Sequence, residues 1–275
     1  MDTLELNAAA NEMRKDIIRM LEAAGSGHPG GSLSCIDTLA ALYLGGVMEH
    51  DPANPDWEER DRFVLAKGHA APALYAVLSH AGNLSRGELS SLRKLGSRLQ
   101  GHPDSNLVPG VEVSTGSLGQ GLSIACGIAA GLRLKGGGQN VFTILGDGEC
   151  QEGQVWEAAT FAAHQKLDNL VAIVDGNGLQ IDGDTHDVCQ VGDLGDKFAA
   201  FGWDVSRVDG HDIDAMIKLF NTLKAKRDGK PHMVIETTVK GKGVSYMEGQ
   251  AGWHGKAPNA EEASLALAEL EEGGR

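Results

Sequence analysis

Short apolar runs rich in valine and isoleucine alternate along this chain with longer stretches whose apolar residues recur at helical spacing. The runs cover 63–66, 141–145, 170–174, 203–208 and 233–239. Apolar runs of this length suit strands buried on both faces. The stretches 34–48, 70–81, 120–135, 153–166 and 213–227 read as helices between them. Such alternation predicts an α/β fold: one open, mostly parallel sheet with helices on both faces. A helix over 3–24 and an acidic, Ala/Leu-rich helix over 260–272 should flank it. No internal repeat or low-complexity linker divides the chain, and Lys135-Gly-Gly-Gly138 is a turn before a strand. A single domain over 1–275 is therefore expected.

Composition narrows the class without naming a chemistry. Hydrophobic residues make up 41% and charged ones 23%, which fits a folded globular protein and disfavours disorder. No stretch nears the ~20 apolar residues of a membrane span, and the N-terminus lacks the basic and apolar regions of a signal peptide. Cys35, Cys126, Cys150 and Cys189 are scattered with no CxxC pair, so neither a zinc site nor a disulfide framework is indicated. A cytoplasmic location without membrane attachment is the expectation. The net charge of −14 argues against a nucleic-acid surface, which needs Lys and Arg to neutralise phosphates.

The candidate chemistry lies in loops at strand ends, where open parallel sheets bind their ligands. The run 141–145 leads into Gly146-Asp-Gly-Glu149, and the next run ends in Asp175-Gly-Asn-Gly-Leu179. Each loop offers an oxygen ligand. Magnesium wants six oxygens and usually takes only a few from protein, so Asp147, Asn177 and a backbone carbonyl suit it. The glycines beside Asp147 let a diphosphate approach the main chain, and a helix starting near Gly153 turns its positive end toward it. A Gly-Asp-Gly triplet alone is an ordinary tight turn; followed thirty residues later by Asn177, it resembles the signature of thiamine-diphosphate enzymes.

Further segments resemble transketolase in particular. They are Gly27-His-Pro-Gly-Gly-Ser32, Lys67-Gly-His-Ala70, Gly101-His-Pro-Asp104 and Gly116-Ser-Leu-Gly-Gln-Gly121, then Gly146-Asp-Gly-Glu-Cys-Gln-Glu-Gly153, Asn177-Gly-Leu-Gln-Ile-Asp-Gly183 and Trp253-His-Gly-Lys-Ala-Pro258. All occur in family order. Gly176 departs mildly, standing where the family often has a larger polar residue. The resemblance implies that Asp147, the Asn177 side chain and the Leu179 carbonyl hold Mg2+, for which Ca2+ or Mn2+ could substitute. It implies that His69 and Gly148 contact the diphosphate of thiamine diphosphate, that Gly116 accepts a hydrogen bond from its aminopyrimidine, and that Leu118 and Ile181 line its rings. Glu152 and Glu157 match acidic positions that join cofactor sites across a subunit interface, though a solvated helix face would also place acids there.

The resemblance makes His28, His102 and His254 the catalytic channel residues, His254 touching the cofactor as well. Imidazoles suit the proton transfers that sugar hydroxyls need near neutral pH. His50, His80, His164, His186, His211 and His232 fall outside these matches and read as surface or core residues. A family chain is more than twice this length, so the pyrimidine-binding and C-terminal domains, with the glutamate that triggers cofactor ionisation, are expected on a separate C-terminal subunit. The implied protein is a heterotetramer with two copies of each chain, transferring a two-carbon ketol unit between sugar phosphates. A related synthase, a pathway-specific transketolase for a branched or sulfonated sugar, and a non-catalytic paralogue are the alternatives.

Overall fold

The structure, a computed structural model, describes residues 1–273. Its first helix, α1 (Thr3–Ala24), begins in a capping box: the Asp2 carboxylate accepts from the Glu5 N–H and the Glu5 carboxylate from the Asp2 N–H, each at 2.8 Å. Gly25, left-handed at φ 63°, ends it. There follow α2 (Pro29–Ser34), α3 (Ile36–Tyr43), β1 (Arg62–Leu65), α4 (Ala71–Ala81), α5 (Gln120–Leu134), β2 (Val141–Gly146) and α6 (Gly153–His164). Next come β3 (Leu170–Gly176), the small pair β4 (Leu179–Gln180) and β5 (Gly183–Asp184), and α7 (Thr185–Cys189). The rest comprises α8 (Leu194–Ala200), β6 (Asp204–Asp209), α9 (Ile213–Ala225), β7 (His232–Thr237) and α10 (Ala260–Gly273).

Five strands pair in parallel in the order β1-β2-β3-β7-β6. The expected open parallel sheet is present, and every strand ends at the same edge. Because side chains alternate across a strand, each one feeds two apolar layers. Phe142, Ile144, Val171 and Ile173 join one core with Met13 and Ile17 of α1, Leu39 of α3, Leu74 of α4 and Phe220 of α9. Val141, Leu145, Leu170 and Val174 join the other with Leu122 of α5, Val155 of α6 and Phe198 of α8. Each such side chain, buried fully, contributes about 1.5–3 kcal/mol, and the double layer explains why the inner strands read as continuous apolar runs, whereas the edge strand β6 buries no residue.

Two local features depart from the expected pattern. The helix predicted over 34–48 is shorter, α3 running only from Ile36 to Tyr43, and Cys35 separates it from a preceding short helix, α2, that was not expected. Ser34 there turns its hydroxyl to Asp175 at the end of β3, 2.5 Å away, and this long-range bond holds the end of α2 against the sheet. The β4–β5 hairpin and α7 lie in a segment read as loop; both are short, and α7 buries no residue, so no periodic pattern announces them. No described helix is long and apolar enough to cross a membrane.

Candidate functional site

The loops leaving β1, β2 and β3 close around a cleft of about 160 Å³ that also receives Lys240, shortly after β7. His69, Leu118, Asp147 and Gly148 line it, together with Asn177, Leu179, Ile181 and His254. A larger hollow of about 480 Å³ lies between α1 and α10, beside the last described residue. It gathers none of the residues singled out from the sequence, so the smaller cleft is the candidate site.

Asp147 stands at its floor, almost wholly buried. Its carboxylate accepts from the Gly148 N–H at 2.7 Å and from the Gly178 N–H at 2.6 Å. Burial first, then repulsion from Asp175, outweighs these bonds and pushes its pKa up to about 6. The Asn177 side-chain oxygen accepts from the Leu179 N–H at 3.1 Å, and the Leu179 carbonyl accepts from the Lys240 ammonium at 3.2 Å. Two strand ends thus bring together the three oxygens expected to hold a metal. Among the described residues no group of three or more His, Cys, Asp or Glu side chains is placed to bind one, so any ion here would draw most of its ligands from phosphate, water and neutral oxygens. Gly176 also has a packing reason: a Cβ there would lie 2.4 Å from the Glu236 carbonyl oxygen.

Sequence reasoning gave no role to two lysines, one of them inside the matching segment Lys67-Gly-His-Ala70, because only the packing shows where their ammonium groups end. Lys67, fully buried, donates to Asp175 and to the Gly31 carbonyl at 3.0 Å. Asp175 also accepts from Ser34 and Thr238, so one buried carboxylate ties together α2 and the ends of β1, β3 and β7. Lys240 is buried too, and desolvation followed by repulsion from Lys67 lowers its pKa to about 8 despite Asp175 and Asp147. Glu149 carried no signal of its own beyond the motif around Asp147; its carboxylate braces the site by accepting from the Gly119 and Gly146 N–H groups at 2.9 and 3.0 Å.

The imidazoles cluster although they come from four distant loops. Ring centres of His69 and His254 lie 5.0 Å apart, His28 and His69 5.3 Å, His28 and His254 5.5 Å, and His28 and His102 6.5 Å. Burial is the main reason their pKa values fall. That of His28 drops to about 4, with Arg93, His102 and Lys240 adding to the effect, and that of His254 to about 3, with Lys240, His28 and Lys67. His69 falls well below its usual value and His102 falls as well. Burial thus favours the uncharged form of all four imidazoles. The buried Nδ1 atoms of His28 and His254 have no hydrogen-bond partner among the described residues, an arrangement that asks for a polar ligand.

Gly116, with φ 149°, faces the His102 ring so closely that a Cβ would lie 2.9 Å from it. Glu152 reaches the cleft, whereas Glu157 does not: it sits on the solvent face of α6, about one turn further on, with its side chain exposed. Within this chain it contacts nothing in the cleft. The remaining histidines are elsewhere. His80 pairs with Asp16 at 3.0 Å, and His211 bridges Asp37 and the Val239 N–H.

A family model described as the thiamine diphosphate binding domain of transketolase matches residues 6–270. The 6-deoxy-6-sulfo-D-fructose transketolase subunit of a Clostridium species is 43% identical over 271 residues, 98% of each chain. An apulose-4-phosphate transketolase subunit of Phocaeicola vulgatus is 43% identical over 272 residues, 99% of this chain and 95% of that one. The solved transketolase of Leishmania mexicana superposes with a TM-score of 0.91 at 33% identity, covering 98% of this chain but 42% of that one. The chain therefore spans nearly the whole of relatives named as subunits and about two fifths of that transketolase. By its sequence and its fold, the chain belongs to the transketolase family, as a thiamine diphosphate-binding domain.

Proposed function

We propose that this chain is the diphosphate-binding subunit of a two-chain transketolase, acting with thiamine diphosphate and Mg2+ on sugar phosphates in the cytoplasm. One observation carries the reading: a buried carboxylate, an amide oxygen and a carbonyl converge on a cleft whose rim is a cluster of imidazoles. The residues fit the absent groups. Asp147 is an acid whose raised pKa a cation would reverse, and two channel imidazoles keep unpartnered nitrogens.

In this reading Asp147, Asn177 and the Leu179 carbonyl hold Mg2+, while His69, Gly148 and the charges of Lys67 and Lys240 favour the diphosphate. Gly116, Leu118 and Ile181 hold the rings. When bound, thiamine diphosphate supplies the electron sink that carbon–carbon cleavage requires. His254, which lines the cleft, takes the hydroxyl proton of the donor sugar; His28 and His102 orient the adjoining hydroxyls.

Support for a second chain comes from relatives of almost the same length that are named subunits. The partner would bring the pyrimidine-binding domain and its activating glutamate, and Glu157, free of the cleft, would serve the subunit interface of a heterotetramer with two copies of each chain. A narrower reading is favoured by the relatives' names, which specify a sulfonated deoxysugar and apulose 4-phosphate: the donor here is an unusual sugar of one pathway. The test is to purify the chain alone and with the product of the adjoining coding sequence, measuring ketol transfer and mass by light scattering. Transfer should require both chains. Robust turnover by this polypeptide alone would refute the split-enzyme reading, and a panel of ketose donors would separate the general from the pathway-specific form.

A further inference from the structure

We propose that Arg93 is a positioning residue of the channel, its guanidinium clamping the two loops that carry His28 and His102. The proposal rests on the channel reading above. Arg93 is one of two non-glycine residues with positive φ among the described residues, at 58°, a conformation that side chains adopt when their surroundings insist on it. Its backbone N–H is held by the Leu99 carbonyl at 2.8 Å. That strained seat turns the side chain inward between Gly27 and Gly101, the residues immediately before His28 and His102. A Cβ on Gly101 would lie 2.7–2.8 Å from the guanidinium, and one on Gly27 would lie 3.8 Å from its Nε. The planar guanidinium therefore packs closely on the Gly101 loop and leaves room beside Gly27 for no more than a side chain's van der Waals contact.

The guanidinium has no carboxylate partner within 4.0 Å among the described residues, and its buried Nε has no acceptor. A cation kept unpaired at that position has a use other than local stability. From Gly101 the contact passes to His102, whose ring packs on Gly116, while the Tyr75 hydroxyl donates to the Gln100 carbonyl at 2.9 Å and to the His102 carbonyl at 3.3 Å. Arg93 thus sets one side of a loop that Tyr75 sets from below. Charge adds to shape. After burial, Arg93 is the first charged group opposing protonation of both His28 and His102. Lys240 and the neighbouring His102 also face His28, with His69 and His254 packed beside it.

The test is a titration of the full chain, carrying 15N-labelled histidine, by NMR from neutral to acid pH. His28 and His102 are assigned from single Asn variants. In Arg93→Gln both midpoints should rise by roughly 0.5 unit, about a threefold change in proton affinity, while His80, paired with Asp16, should not move. Arg93→Lys keeps the charge without the planar fork: its midpoints should stay near wild type while the His28 and His102 resonances shift. Unchanged midpoints in a folded Arg93→Gln chain would overturn the proposal, and if that variant does not fold, unshifted resonances in Arg93→Lys would do so. With the partner chain, xylulose 5-phosphate and ribose 5-phosphate, Arg93→Lys should lower kcat/KM by roughly tenfold, as expected when a reacting group is slightly misplaced. A wild-type complex without ketol transfer would count against the functional reading and leave the titration result standing.

Discussion

Replacing Lys67 by Met removes the cation from the buried carboxylate that joins four elements. Lys67 and Asp175 are 1% and 0% exposed, so water cannot replace the lost partner. Asp175 would keep only the Ser34 and Thr238 hydroxyls. Burial alone would raise its pKa, but the charge of Lys67 and these bonds hold it below its ordinary value of 3.8. Breaking a buried pair by deleting one member costs about 3–5 kcal/mol, against a total stability of roughly 5–15 kcal/mol for a domain. With about 2–4 °C per kcal/mol for a chain of this size, the melting temperature should fall by roughly 6–20 °C. Urea unfolding followed by circular dichroism at neutral pH measures the loss directly. The double variant Lys67→Met, Asp175→Asn removes both charges and should recover at least half of it. Because the folded-state pKa of Asp175 is depressed, its contribution is present above 3.8 and is lost as pH falls through the folded value. The gap between wild type and Lys67→Met should therefore close on strong acidification. A cost below about 1 kcal/mol, the range of a solvated surface pair, would refute the reasoning.

Asp147→Ala and Asn177→Ala should each weaken Mg2+-dependent thiamine diphosphate binding by more than the ~10–100-fold typical of second-sphere changes, with the fold intact by circular dichroism; unchanged calorimetric affinity in both would remove them as ligands. His254→Ala in the two-chain complex should lower kcat by roughly 10²–10⁴-fold while cofactor binding persists, and steady-state kinetics with a ketose donor decides it. Glu236, fully buried with one oxygen unpartnered, has a pKa raised well above 4.5, chiefly by burial. Above 4.5 the unfolded chain gives up a proton that the folded chain retains, so folding stability falls with rising pH. Glu236→Gln should therefore melt higher than wild type at neutral pH, and the difference should vanish below 4.5; a variant less stable at every pH would sink the argument.

Much of the architecture was legible because the information is local and repeated. Strands buried on two faces must be apolar at successive positions, and this marked β1, β2, β3 and β7; β6, an edge strand with no buried residue, shows only a weaker apolar pattern. Asp2 and Glu5 set the start of α1, and Gly25 its end. The Asp147 and Asn177 loops could be placed at neighbouring strand ends, because a parallel sheet puts all such ends on one edge.

Other features belong to tertiary structure alone. The break at Cys35 depends on a bond from Ser34 to a residue 141 positions away. The meeting of His28, His69, His102 and His254 depends on how four loops fold over one edge, which motif order suggests but spacing cannot supply. Lys240 and Arg93 gave no signal, and Lys67 was marked only as part of a matching segment, since a long cationic side chain looks the same in sequence whether it ends in solvent, on a buried carboxylate or beside a glycine. Periodicity along the chain decided which residues are buried; the register and packing of distant elements decided which buried charges meet.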